Sequence, residues 1–389
     1  MKKPWSILKR NTRLKKIDCL YIHIPFCVKK CIYCDFFSVP YDESAIQIYV
    51  DALCKELSRK KRLAGMLKTA YFGGGTPTLL PADCFRQLFK CMKDNYQFSQ
   101  DIEITVEANP GTVDEPEIVA LLSLGVNRLS VGVQSFNDNE LAALGRIHSS
   151  DEALRSIESI GKAGLKNISI DLIYGIPCQT MESWMESLSR AIDLSLKHIS
   201  TYELTPEENT PLYALIRSGK ISMLNEELVL ELYNHTIDYL AARGYEHYEI
   251  SNFALPGFKC LHNLNYWNRG EYIGVGAGAH SFADGTRSKN INDINRYIDH
   301  LNKGFVPETE LMRLSRAEVI EEFIFLGLRK TEGIDLEKAE KEGLNILAAG
   351  EEMTMEGYLE ITDNMLRLTR KGIAVSNAVI AGLFERVGL

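Results

Sequence analysis

The sequence predicts an α/β fold, a partial (β/α)6 barrel followed by a smaller C-terminal helical, winged-helix-like domain. Three observations lead there. Six short β-rich runs alternate with amphipathic stretches over the first 215 residues, as successive βα units of a parallel sheet with right-handed crossovers require. Each run ends in a polar or glycine-rich turn. Past residue 211 the alternation weakens, and from about residue 308 the chain turns helical and charged.

The β-rich runs are residues 19–24, 69–72, 102–107, 128–131, 167–173 and 198–204. The intervening stretches 45–62, 84–95, 117–124, 152–163 and 182–194 read as helices; in the fourth, Ala153, Ile157 and Ile160 share one face. An open doubly wound sheet would satisfy the same periodicity. The turns favour the barrel. Residues 23–34, 73–77, 107–110, 134–135, 171–177 and 202–206 all carry candidate site residues. A parallel barrel builds its site from the loops after several strands, whereas an open sheet gathers ligands at one switch point.

Farther on, residues 224–243 read as a helix, 245–250 as a strand and 270–278 as a glycine-rich loop. Residues 358–361 and 365–369 flank a turn at Asp363-Asn364, and a last helix follows; helices with a small hairpin suggest a winged-helix module. The expected domains are a basic leader (1–18), the barrel (19–215), a barrel extension (216–305) and the C-terminal module (306–389).

Composition narrows the function. The 389 residues include 44 Lys and Arg against 52 Asp and Glu, a net charge of −8, so no broad nucleic-acid surface is expected. Seven Lys or Arg fall in the first sixteen residues, but no apolar stretch follows that could serve as a signal peptide. Nowhere do eighteen consecutive apolar residues occur, and a cytoplasmic setting is expected. The nine cysteines, odd in number, do not suggest a disulfide scaffold.

Three of them, Cys27, Cys31 and Cys34, form a C-x3-C-x2-C spacing after the first strand. Three thiolates in one short loop can converge on a soft metal centre. Closed zinc or iron–sulfur sites commonly take four protein ligands, and no fourth Cys follows nearby. A [4Fe–4S] cluster on three thiolates leaves one iron open to a non-protein ligand. Two other readings stand beside it: a zinc knuckle completed by His23, and a C-x2-C redox pair at Cys31 and Cys34 that leaves Cys27 unexplained. Cys19, Cys54, Cys84, Cys91 and Cys178 read mostly as small buried hydrophobes.

C-x3-C-x2-C followed by Gly73-Gly74-Gly75-Thr76-Pro77 resembles the radical S-adenosylmethionine (SAM) superfamily. Within it, YIHIPFC-x3-C-x2-CDF, YFGGGTPT, TVEANP, RLSVGVQSF and DLIYGIP resemble the oxygen-independent coproporphyrinogen III oxidase-like branch over nearly the whole chain. The resemblance implies that SAM chelates the open iron and that one electron from the cluster cleaves its sulfonium. It places Gly74, Gly75 and Thr76 at the SAM, with Tyr21 and Tyr33 lining the same pocket and Glu107 as a ribose-binding carboxylate. Gln134, Arg146 and Asp171 would line the SAM region too. From the residues alone, Gly73–Thr76 could be an ordinary tight turn, Glu107 a polar barrel residue and Arg146 a surface cation. Asp171 sits in so apolar a strand that it needs a partner.

The decarboxylating oxidases of that branch carry a further Cys two residues after the third ligand; here that residue is Phe36. Phenylalanine there, with the later His262-Asn263-Leu264-Asn265-Tyr266-Trp267 and GEYIGVGAGAHSF, is similar to the HemW heme chaperones. The resemblance implies heme as cargo, heme-accepting apoproteins as recipients, and no coproporphyrinogen turnover. A peripheral membrane contact and a second copy of the chain are further expected partners. An imidazole beside aromatic rings suits an iron porphyrin, which makes His262, Tyr266 and Trp267 heme candidates. Those three could equally be core residues, and Cys260 and His280 compete as ligands. Two other functions remain: a coproporphyrinogen III oxidase using the same cluster, and a zinc-stabilised binding protein without redox chemistry.

Overall fold

A computed structural model describes residues 16–388, so the basic leader lies almost wholly outside the described residues. The chain divides into two compact units. One comprises the described residues up to Leu232 with Glu271–Met312; the other comprises Tyr233–Gly270 with the residues from Arg313 onward. The segment 216–305, expected as one extension, thus contributes to both.

The first unit is built on seven parallel strands: β1 (Ile17–Ile24), β2 (Ala64–Gly74), β3 (Gln97–Ala108), β4 (Arg128–Gln134), β5 (Ile168–Tyr174), β6 (His198–Glu203) and β7 (Ile273–Val275). Their spatial order is β7-β1-β2-β3-β4-β5-β6. Among the described residues β6 and β7, at opposite ends of this parallel run, are not paired with each other, so the barrel is partial. Crossovers run through α1 (Glu43–Lys60), α2 (Ala82–Asn95), α3 (Glu115–Leu124), α4 (Ser150–Lys162) and α5 (Met181–Asp193). Local chemistry sets their starts. Asp42 caps α1, and capping boxes open the last three through Asp114/Glu117, Ser149/Glu152 and Thr180/Ser183.

Strand register explains why the interior can hold a polar site. Side chains alternate between faces, so one face collects Leu20, Ile22, Ala70, Phe72, Ile104, Val106, Leu129 and Val131, all essentially buried. Phe72 stacks on Phe89 and meets Phe85, both of α2, which places that face under the helices. The opposite face carries a row Tyr21–Tyr71–Thr105–Arg128 and another Glu107–Ser130–Ser169–His198. The barrel is therefore apolar outside and polar within.

Strand β7 falls where the sequence reads as a glycine-rich loop. It is three residues long, and a Cβ on Gly274 would lie 1.8 Å from the His280 carbonyl oxygen, so the glycine marks close packing rather than a free turn. Beyond it, β8 (His280–Ala283), β9 (Thr286–Asn290) and β10 (Glu308–Arg313) form a three-stranded sheet, with α6 (Ile294–Asn302) between the last two.

The second unit contains helices Arg316–Arg329, Ile346–Met355 and Ser376–Val387, and an antiparallel sheet of Ile334–Asp335, Met365–Leu368 and Leu359–Thr362. The hairpin turns at Asp363 and Asn364, both with positive φ (51° and 64°), the geometry of a type I′ turn. Ile324, Leu328, Ile346, Leu359, Leu366 and Leu383 fill its core.

Candidate metal centre

The three cysteines sit in the loop that leaves the carboxyl end of β1. Cys27 is fixed by a short parallel bridge of Phe26–Cys27 with Val39–Pro40. A turn closes from the Cys34 N–H to the Cys31 carbonyl at 3.3 Å. Later segments anchor the loop: the Ile32 N–H donates to the Leu144 carbonyl at 3.3 Å, and the Leu212 N–H donates to the Ile32 carbonyl at 2.9 Å. All three thiols remain partly accessible, and burial raises the pKa of Cys27 and Cys34.

The end of β2 packs directly on this loop. The Gly75 N–H donates to the Ile24 carbonyl and the Thr76 N–H to the Phe26 carbonyl, both at 2.8 Å. A Cβ on Gly75 would fall 2.6 Å from that Phe26 oxygen, so only glycine admits the approach. Gly74 has φ +120°, and a Cβ there would lie 2.5 Å from His23 Cε1. Its N–H instead donates to Glu107 Oε2 at 3.1 Å, while Tyr71 donates to Oε1 at 2.7 Å. Burial, then the Asp171 charge, act against these two bonds and push the Glu107 carboxyl up to about 7.

A second chain of contacts ends on the thiols. Thr76 Oγ1 lies 3.9 Å from Cys27 Sγ and accepts from Asn109 Nδ2 at 2.7 Å. Arg146 donates to Asn109 Oδ1 at 2.6 Å, to the Gly132 carbonyl at 2.7 Å and toward Cys31 Sγ at 3.3 Å. Its Nε is buried without a partner. His148 accepts from Arg146 at Nδ1 (3.3 Å) and donates from Nε2 to the Val133 carbonyl (3.1 Å). Burial and the guanidinium lower its pKa to about 4, which keeps it a neutral acceptor.

The other residues expected at the cofactor gather nearby. Tyr21 stacks on Tyr71 at 6.2 Å, and Tyr33 packs against the apolar group of Leu144, Ile173 and Ile176. Gln134 ends β4 with φ +68°. Asp171 finds the partner its apolar strand demands: Ser130 donates to it at 3.3 Å. Asn109, His148 and Tyr71 belong to the contact chains but were not expected there. Asn109 and Tyr71 lie inside quoted motifs, TVEANP and YFGGGTPT, and that was the available signal. His148 had none.

His23 is no free ligand. Its Nδ1 accepts from the Tyr21 hydroxyl at 2.9 Å and its Nε2 donates to the Phe37 carbonyl at 3.0 Å; burial lowers its pKa to about 4. The knuckle reading loses its fourth donor. Among the described residues no three His, Cys, Asp or Glu side chains gather tightly enough for a single ion.

In the second unit, the helix Leu261–Trp267 carries the other candidates. His262 is 1% exposed, and its Nε2 meets the Tyr266 hydroxyl at 2.9 Å. Arg329 lies over the Trp267 ring at 5.0 Å. Cys260 is fully buried, and of the remaining cysteines Cys178 is exposed rather than buried.

Residues 21–191 match the radical SAM superfamily, and residues 314–375 match the HemN C-terminal domain. The solved structure of coproporphyrinogen III oxidase (HemN) from Escherichia coli superposes with a TM-score of 0.81, covering 95% of this chain and 90% of that one; at 23% identity it shows the shared fold. The heme chaperone HemW of Bacillus subtilis is 36% identical over 92% of this chain and 97% of its own length. That of Lactococcus lactis is 39% identical over 84% of this chain and 85% of its own. With that identity sustained across most of both chains, the chain belongs to the HemW family of the radical SAM superfamily.

Proposed function

We propose that the protein is a heme chaperone that holds a [4Fe–4S] cluster on Cys27, Cys31 and Cys34, binds SAM beside it, and delivers heme to apoproteins in the cytoplasm. One observation carries this reading: a hydrogen-bonded chain Thr76–Asn109–Arg146 ends on the thiols of Cys27 and Cys31, and beside it the Gly74 amide is paired with the buried Glu107 carboxyl. The names of its relatives supply the cargo.

A cluster on three thiolates supplies an open iron and a single reducing electron. The chain's residues do the rest. The Gly74–Thr76 backbone, held open by glycine, brings amides against a zwitterionic ligand. Glu107 sits where a ribose hydroxyl can be met, Arg146 where a carboxylate can, and Tyr21, Tyr33, Gln134 and Asp171 complete the lining. Phe36, 66% exposed, stands where the decarboxylating oxidases carry another cysteine.

Anaerobic reconstitution followed by two assays tests the reading. The expected result is a brown protein that binds hemin and does not convert coproporphyrinogen III in the presence of SAM and a reductant. Conversion would replace the chaperone with an oxidase, and a colourless, zinc-loaded protein would remove the cluster.

A further inference from the structure

Two cysteines outside the cluster loop face each other across the helices that cover the barrel. Cys54 and Ser58 lie one turn apart on one face of α1, and Gln87, Cys91 and Asn95 share one face of α2. The two faces meet: the Cys91 sulfur lies 3.5 Å from the Cys54 carbonyl oxygen. Hydrogen bonds on both sides of this contact pin the helices together. Tyr96 donates to the Leu57 carbonyl at 2.9 Å, Gln47 to Gln87 at 2.8 Å, and Gln87 to Asp51 at 2.7 Å. The sequence reads both thiols as small buried hydrophobes, but each is partly accessible and lines an open groove.

The surroundings make the two sulfurs chemically unequal. Asn95 Nδ2 donates to the Cys91 sulfur at 3.7 Å, and Ser58 adds a further hydrogen bond to it. A hydrogen bond from Cys54 lowers the Cys91 pKa most, ahead of the burial that opposes it. Asp94 opposes it too, but that carboxylate is engaged by Lys90 at 2.7 Å. Cys54 is held in the opposite state. Its hydrogen bond to Cys91 raises its pKa first, then burial, then the Cys91 charge and Asp51, against a bond from Gln87. Cys91 is thus the more readily ionised, nucleophilic thiol, and Cys54 the protonated neighbour that stabilises it. Once the Cys91 sulfur is oxidised its charge is gone, and with it the main cause that keeps Cys54 protonated.

We propose that Cys54 and Cys91 form a peroxide-reactive pair, independent of cluster, SAM and heme, in which Cys91 attacks and Cys54 resolves. The Cys91 thiolate attacks one oxygen of hydrogen peroxide; the O–O bond breaks, and hydroxide leaves and takes up a proton as water. Cys91 becomes a sulfenic acid. The Cys54 sulfur then attacks the Cys91 sulfur, an S–S bond forms, and the S–O bond breaks. The hydroxyl leaves as water with the Cys54 proton. Both thiols are oxidised to one disulfide and the peroxide is reduced to water. The product joins α1 to α2 where they already touch.

The test uses the full, anaerobically reconstituted chain, given a small molar excess of hydrogen peroxide and then alkylated under denaturing conditions. Peptide mass spectrometry should find the Cys54–Cys91 link formed about tenfold faster than Cys178 is oxidised, an exposed thiol whose pKa burial raises. Cys54→Ser should form no link and should leave a sulfenic acid on Cys91, trapped by dimedone. Cys91→Ser should leave Cys54 reduced. Asn95→Ala in the Cys54→Ser background should slow trapping at Cys91 severalfold. The parent protein decides without any variant: Cys54 and Cys91 both alkylated while Cys178 is oxidised would overturn the pair. A dimedone adduct on Cys54 in Cys91→Ser, formed as fast as that on Cys91 in Cys54→Ser, would overturn the assignment of roles.

Discussion

Arg146 places Nη1 3.3 Å from the sulfur of Cys31, across 115 residues of sequence, while Nη2 is held by Asn109 and the Gly132 carbonyl. A cation fixed this way at a thiolate ligand favours the more negative, reduced state of whatever the thiolate holds. Arg146→Ala should therefore lower the reduction potential of the reconstituted cluster. A charge-assisted contact differing by about 1 kcal/mol between oxidation states corresponds to roughly 40 mV for one electron. Potentiometric titration followed by electron paramagnetic resonance checks it; an unchanged potential means that the contact does not act on the cluster.

Gly74 admits no side chain. Its φ of +120° is left-handed-side backbone, and a Cβ would sit 2.5 Å from a buried imidazole. Gly74→Ala should cost about 2–4 kcal/mol from backbone strain and overpacking, and should also displace the N–H that Glu107 accepts. Thermal unfolding measures the first effect and SAM binding by calorimetry the second. Parent-like values in both would show that the turn relaxes freely.

The parts of the molecule legible in the sequence are those with a local cause. Six strands and five crossover helices follow from alternation and capping residues such as Ser149 and Thr180. The Cys27–Cys34 loop shows itself by spacing. Strand β7 does not, because three residues with a central glycine carry no period. Asn109 and His148 reach Arg146 through side-chain contacts that no window of neighbouring residues encodes. His262 is the reverse case: its motif is conspicuous in the sequence, while its burial and its contact with Tyr266 are visible only in the fold.

Lys60 is the clearest long-range case. It is buried between Glu56 at 2.8 Å and Glu308 at 3.0 Å and donates to the Gly274 carbonyl of β7. Glu56 also accepts from the Gly276 N–H, Asn290 and Tyr297. Burial alone would lower the Lys60 pKa, but the two carboxylates raise it. Lys60→Met leaves two buried carboxylates uncompensated and should cost about 3–5 kcal/mol. Adding Glu308→Gln to that variant should recover part of the loss. Denaturant titration of both variants gives the answer, and no recovery would mean that packing rather than charge sets the cost.

Glu107 makes stability and ligand binding depend on pH in opposite directions. Its folded pKa is about 7 against an ordinary value of 4.5, raised first by burial and then by Asp171. Between those values the folded chain holds a proton that the unfolded chain has lost, so unfolding free energy falls as pH rises through that window. The loss by pH 7 should be roughly 1–3 kcal/mol. Glu107→Gln, which cannot ionise, should flatten that slope between pH 5 and pH 7, as read from unfolding midpoints across the range. A sulfonium ligand is cationic and prefers the carboxylate, so SAM binding should strengthen toward pH 7 and release a proton. Calorimetry in buffers of different ionisation enthalpy counts that proton directly. A parent protein that releases none at pH 6 would show that Glu107 is already ionised, or does not face the ligand.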